Sequence, residues 1–232
     1  MLNMRYILLL CLSVLIFSCG KDKVLQLPEI THSEISEIND VSAAYLFYDE
    51  TKTDSVELNR KNLISTTNWL VNVDKRLTLK QAIPKIKFLQ EKKQESEHKN
   101  DHAKNYFTCN DANSKNLGFI EFTDVVYHDE DAGEYFSKIS DIPKGTRFSI
   151  TYYSLEKIEV TGFIEELITI TTNESNLTKT LSGLFNPENI QFEIILNFNQ
   201  NITFQDYITF KSILSQLDLN NVIISNHEFI FN

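Results

Sequence analysis

At 232 residues the chain has room for one large domain or two small ones, and 42% hydrophobic residues with 16 Phe and 9 Tyr supply material for a real core. A net charge of -10 with no basic stripe argues against a nucleic-acid partner. Six glycines leave little room for a phosphate-cradling loop, and neither G-x-S-x-G nor Cys-x-x-Cys occurs.

The N-terminus reads as a secretory signal. Arg5 gives a positive start, Ile7 to Phe17 are apolar apart from Ser13, and the small Ser18 precedes Cys19. A membrane span needs about 20 apolar residues, and polar Gly20-Lys21-Asp22-Lys23 stops the run short of that. Ile16-Phe17-Ser18 also lacks the paired small residues of an ordinary A-x-A cleavage site. Ile16-Phe17-Ser18-Cys19 instead resembles a bacterial lipobox. That resemblance implies that residues 1–18 are removed and that the Cys19 thiol carries acyl chains such as palmitate. It places the protein in the cell envelope, with the outer membrane favoured and the chain facing the periplasm or the cell surface. Loss of Arg5 makes the mature chain one unit more negative, so the lipid rather than charge would hold it at an anionic membrane. Of the other cysteines, Cys11 lies in the signal and only Cys109 remains, so no disulfide framework is expected. Asn110-Asp111 beside Cys109 offer no electropositive setting, which reads as an inert thiol.

Residues 19–41 carry Glu29, Glu34, Glu37, Asp40 and Pro28 with few large apolar groups, and read as a flexible lipidated tether. Ala43 to Asp49 is the first strand, and Val56-Glu57-Leu58 its hairpin partner across the turn Glu50 to Thr53. Asn59 to Thr67 reads as a short helix before a strand from Trp69 to Asp74. Beyond Thr78 the period becomes helical, with Leu79, Ala82, Ile83, Ile86 and Leu89 on one face. Thr78 and Gln81 form a capping box, and Pro84 either delays the start or bends the first turn. Glu91 to Lys104 reads as a solvated helix end or loop, Leu117 to Phe122 as a strand, and Asp124 to Glu134 as an acidic loop separating two units. The units are placed at 42–140 and 141–232, the second beginning near Ile142-Pro143.

In the second unit Arg147 to Tyr153 reads as a strand, with Glu156 to Val160 pairing back on it. Phe163, Leu167, Ile168 and Ile170 suggest a short helix, although the run to Thr172 is β-branched. Asn173 to Asn176 is read as a loop, Phe192 to Phe198 as a strand, and Thr203 to Leu217 as a helix with Phe204, Tyr207, Ile208, the Lys211 stem and Leu214 on one side. Val222-Ile223-Ile224 and Glu228 to Phe231 are read as two closing strands joined by a turn at Ser225-Asn226-His227.

The sharpest internal signal is a repeat. Residues 69–83 (WLVNVDKRLTLKQAI) align without a gap on 194–208 (IILNFNQNITFQDYI), setting Asn72 on Asn197, Thr78 on Thr203 and Gln81 on Asp206. Both segments read as strand, polar turn and helix opened by a threonine cap, which favours duplication over chance likeness of two β-α junctions. A strand ending in an acid, a short turn, a helix and a strand resembles the periplasmic domain of ExbD/TolR-type biopolymer-transport proteins. The first copy is Val71 to Leu89 with Asp74 at the acidic position. The second is Ile194 to Ile224, where Asn199 replaces the acid. The resemblance implies small β-α sandwiches that dimerise and couple motor complexes or cell wall to the outer membrane. Those proteins carry a transmembrane helix with a proton-handling Asp, which this N-terminus lacks, so proton-driven transduction is not expected.

Candidate chemistry is sparse. His98 and His102 would share a helix face near Asp101 and Cys109, but H-K-N-D-H lacks a metalloprotease glutamate and reads as solvated surface rather than a zinc site. Asp129-Glu130-Asp131-Ala132-Gly133-Glu134 fails the calcium-loop spacing. Asp54-Ser55-Val56 looks like the short O-glycosylation motif of Bacteroidota, but a tripeptide is a weak signal and a plain turn is the favoured reading. The three N-x-[ST] triplets at Asn173, Asn176 and Asn201 sit in a chain whose lipobox implies a bacterium. The expectation is an α+β fold of two similar small β-α sandwich units on a lipid tether. No catalytic residue, cofactor or metal is assigned. The chain reads as a non-enzymatic envelope module, held to the membrane by the lipid on Cys19 and binding a protein or cell-wall polymer. Its two copies would pair within the chain, or the protein would form a homodimer. The terminal strand Glu228 to Phe231 would offer an open edge for strand addition. The other reading is a surface lipoprotein that binds a small ligand or glycan.

Overall fold

The computed structural model describes residues 23–98, 100–130, 132–137, 147–163, 167–185, 192–217 and 222–232. Within them the first half contains β1 (Glu29–Ile30), β2 (Val41–Tyr48), β3 (Val56–Asn59), β4 (Asn68–Val73), α1 (Leu79–Gln94), β5 (Asn105–Asp111), β6 (Asn116–Glu121), β7 (Val126–His128) and α2 (Ala132–Ser137). The second half contains β8 (Arg147–Ser154), β9 (Lys157–Phe163), β10 (Leu167–Thr172), α3 (Glu174–Leu184), β11 (Phe192–Asn199), α4 (Phe204–Ser215) and β12 (Val222–Phe231). The fold is mixed α and β, as the sequence led one to expect, and is built on two mixed sheets of six strands each.

The two sheets share a plan. In the first, β2 pairs antiparallel with β3 and parallel with β4, and β4 pairs parallel with β5. In the second, β8 pairs antiparallel with β9 and parallel with β11, and β11 pairs parallel with β12. Each parallel step after β4 and β11 is made through a helix, α1 or α4, because parallel neighbours need a long crossover. Strand β10 and helix α3 are additions to the second copy, and β1 and β6 are additions to the first.

Helix α1 buries Leu79, Ala82, Ile83, Ile86 and Leu89, the face that the spacing selects. Pro84 lies inside α1, and the helix still starts at Leu79. Helix α4 buries Phe204, Tyr207, Ile208, Phe210 and Leu214. One continuous hydrophobic cluster runs from Ile30 and Leu46 through Phe107 to Phe198 and Ile230, so the two copies share a core. Phe107 of β5 meets the rings of Phe204 and Tyr207 edge-on, at 5.1 and 6.3 Å between centroids.

Several sequence expectations are corrected. The described part of the stretch read as a tether, residues 23–41, is docked on the first sheet. Ile30 is 4% exposed, β1 runs parallel to Asn110–Asp111, and Lys23 pairs with Asp49 and Glu57. The helix expected over Asn59 to Thr67 is absent: Asn59 ends β3, and Arg60 to Thr67 is a chain of turns held by a 2.7 Å hydroxyl bond between Ser42 and Thr67. Strand β5 was not foreseen, because it buries Asn105, Thr108 and Asp111 beside its apolar residues and so shows no alternation. The acidic loop contains β7, which pairs with β12 in the second sheet, so the boundary at 140/141 does not separate the two sheets. Ile142 and Pro143 lie outside the described residues.

The helix expected around Leu167 to Ile170 is the strand β10, the outcome that its β-branched residues favour. The loop expected at Asn173 to Asn176 is instead the start of α3, with the Asn173 side chain accepting from the Asn176 N–H. The two closing strands are one strand, β12, whose register against β11 slips between Ile224 and Glu228. Its outer edge is covered at His227, Glu228 and Phe229 by β7, so it is not the open edge expected. No described helix is long and apolar enough to cross a membrane.

Candidate functional site

The repeat is where the two copies meet. Leu79 N–H donates to Ile202 O at 3.1 Å, and Phe204 N–H donates to Leu77 O at 2.6 Å. Lys80 N–H donates to Gln200 O at 2.9 Å, and Gln205 N–H donates to Lys75 O at 3.2 Å. Swapping the two copies of the alignment exchanges each bond with its counterpart, so the junction has a local two-fold symmetry centred on the bridge between Thr78 and Thr203. Both threonines open capping boxes. Gln81 Oε1 accepts from Thr78 N–H at 2.9 Å, and Asp206 Oδ2 accepts from Thr203 N–H at 3.2 Å.

The acidic position of the repeat has a structural role in both copies. Asp74 Oδ1 accepts from Arg76 N–H at 3.1 Å, and Asn199 Oδ1 accepts from Asn201 N–H at 2.8 Å. Each side chain closes the turn between strand and helix by bonding two residues ahead, which Asp and Asn do equally well. Asp74 is fully buried, and burial alone would raise its carboxyl. The bonds from the Arg76 side chain and from the Arg76 and Gln26 N–H groups overcome that and hold it below the usual carboxylate range.

Beside this junction lies a buried polar cluster. Tyr207 and Lys211, four apart on α4, face Glu228 of β12. Tyr207 O–H donates to Glu228 Oε2 at 2.7 Å, and Lys211 Nζ donates to Glu228 Oε1 at 2.5 Å. Because the Tyr207 O–H is already donated to Glu228, the 3.2 Å contact has Tyr127 O–H of β7 donating to the Tyr207 oxygen. Burial, then the charge of Glu228, push both phenols well above their usual values, so they stay protonated donors. The cluster ties β7, α4 and β12 together. Its sequence signal was a charge set directly before the apolar Phe229-Ile230-Phe231, which only an opposite charge such as Lys211 could accommodate.

Lys211 also lines a cleft of about 370 Å³ between the copies. Its walls come from the arm before β2 (Ile35), from β6 (Phe119), from α4 (Leu214) and from the β12 bulge (Ile224). Gly118 allows the arm to cross β6, since a Cβ there would stand 2.6 Å from Ser33 Cβ. Ser33 then accepts from Phe119 N–H at 3.0 Å, which fixes that wall. A cleft of this size is within the range of small-ligand sites, roughly 300–1,000 Å³.

The other candidates separate. Cys19 lies outside the described residues. Cys109 is fully buried and burial pushes its thiol up to about 12, which makes it inert. His98 and His102 lie in exposed turns after α1 has ended at Gln94, so they share no helix face. No group of three or more His, Cys, Asp or Glu is placed to hold a metal ion among the described residues. Asp129 pairs with Lys87 at 2.6 Å, and Asp131 is outside the described residues. Asp54 and Ser55 sit in the turn of the β2–β3 hairpin, with Ser55 at φ 53° and Asp54 paired to Lys85 at 3.1 Å. Sequence reasoning missed Lys93, which is buried on Lys104 O and Asn105 Oδ1 and lies 5.1 Å from the Trp69 ring centre. Burial lowers its ammonium to about 8. Comparison of the chain with protein-family models, with curated proteins and with solved structures gave no match.

Proposed function

We propose that the chain is a lipid-anchored, non-enzymatic interaction module of a bacterial cell envelope, in which two ExbD/TolR-like units are fused into an internal dimer. The observation that carries this reading is the reciprocal backbone pairing of the two capped β-α junctions around Thr78 and Thr203. A dimer-forming unit written twice in one chain has its symmetric contact satisfied internally, and the duplicated scaffold is then available for one partner. The Ile16-Phe17-Ser18-Cys19 box supports envelope anchoring through an acylated Cys19, favouring the outer membrane. The partner is a protein that contributes an extended segment.

Strand β10 is the edge that suits such a segment. It ends the second sheet, carries no charge in a chain of net charge -10, and exposes Leu167 at 70%. Natural edges are usually blunted by Lys or Pro, and an unblunted one accepts a further strand. The test is purification from membranes with a photo-crosslinker at Leu167. Crosslinks to a motor-complex or cell-wall-binding protein, lost in Thr171→Lys without a shift in melting temperature, are expected. Retention of the crosslinks in Thr171→Lys overturns the edge mechanism. A Cys19→Ala protein that still fractionates with membranes at full-length mass overturns the anchor.

A further inference from the structure

We infer that the cleft between the two copies is a binding site for a single-chain amphiphile with a carboxylate head. The site is separate from the β10 edge and from the lipid anchor. Its walls are apolar on four sides, through Ile35, Phe119, Leu214 and Ile224, each from a different element. Ile224 is 36% exposed, and the bulge of β12 holds it in that position without a strand partner beyond Ile194. Apolar walls facing each other across solvent favour an apolar chain that displaces the water between them.

One cation fixes the head. The Lys211 side chain is 17% exposed and lines the cleft, while its partner Glu228 is fully buried behind it. An ammonium carries three donors and Glu228 takes one, so the face turned to the cleft has donor capacity for a carboxylate. The acids of the cleft stand differently. Glu34 is exposed to solvent, which screens it, and Glu121 is paired with Lys104 at 2.8 Å. Ser215 stands on α4 one turn beyond Lys211 and also lines the cleft, so the length of a bound chain runs past it.

Calorimetric titration of the full chain carrying Cys19→Ala tests this, with decanoate and decyltrimethylammonium below their micelle concentrations. Decanoate is expected to saturate one site and bind at least about tenfold tighter than the cationic amphiphile, roughly the effect of one charge-assisted hydrogen bond. Lys211→Met with Glu228→Gln removes both charges without orphaning either, and should abolish the preference between heads. Ser215→Phe, which places a ring in the cleft from an exposed position on its rim, should weaken both ligands. Absence of saturable decanoate binding overturns the site. Equal affinity for the two heads in the parent protein, or unchanged binding in Ser215→Phe, does the same.

Discussion

His128 and His227 face each other across β7 and β12, with Nε2 of one 2.7 Å from Nδ1 of the other. A single proton fits between those nitrogens, so one ring donates and the other accepts. Burial, then the nearness of His227, lower the His128 pKa, and Lys87 adds to this, while Glu130 and Asp129 work against it. Tyr135 closes the cluster, 4.5 Å from the His128 ring. A histidine whose folded pKa is depressed binds its proton more readily in the unfolded chain. Stability is therefore full above the unfolded value of about 6.5 and declines as pH falls through it toward the lower folded value. The melting temperature of the parent protein should fall between pH 7.5 and 5.5 by more than that of His128→Gln. Equal falls would remove His128 from the pH response. Thr203→Ala is a second residue-scale case, costing about 1 kcal/mol in chemical denaturation through loss of the bond from Asp206 N–H, whereas Thr203→Ser should keep most of it.

Strand β12 shows at the scale of an element what the sequence could and could not disclose. Its apolar residues were legible, but its neighbours were not, because β7 is three residues inside an acidic run and carries no strand pattern of its own. The same limit explains β5, whose buried Asn105, Thr108 and Asp111 hide the strand. It also explains β1, where two residues gain order from Asn110 and Asp111 rather than from their own composition. The elements that were read correctly, β2 to β4, α1, β6, β8, β9, β11 and α4, are those with local signals: alternation, an apolar run, a helical face or a threonine cap. The partnership of Lys211 with Glu228 joins distant elements, so only the structure could place it. With β12 enclosed between β11 and β7, deleting residues 226–232 should be severe. The deletion removes the fully buried Glu228 and the buried Phe229 and Ile230, and leaves Lys211 and Tyr207 without their acceptor. Loss of a cooperative thermal transition is expected, and a truncated chain that melts like the parent would refute the buried role of β12.

At the scale of the whole molecule, the question is whether two copies of one plan behave as two domains or one. Their hydrophobic cluster is continuous, Phe107 packs on Phe204 and Tyr207, and β7 leaves the first half of the chain to complete the second sheet. The junction adds four backbone bonds that neither half could make alone. Partial unfolding of one copy would expose these groups on the other, so both should melt together. Phe204 tests the coupling, since it is fully buried at the junction and bonds Leu77 through its backbone, which substitution of the side chain leaves in place. Phe204→Ala should cost about 3–5 kcal/mol, the usual range for deleting a buried aromatic ring. It should shift a single denaturation curve, reported equally by Trp69 fluorescence from the first sheet and by far-ultraviolet circular dichroism from the whole chain. Two separated transitions in the parent protein would mean that the copies are independent domains. A Phe204→Ala curve in which Trp69 keeps the parent midpoint while the rest of the signal moves would show that the shared core does not couple them.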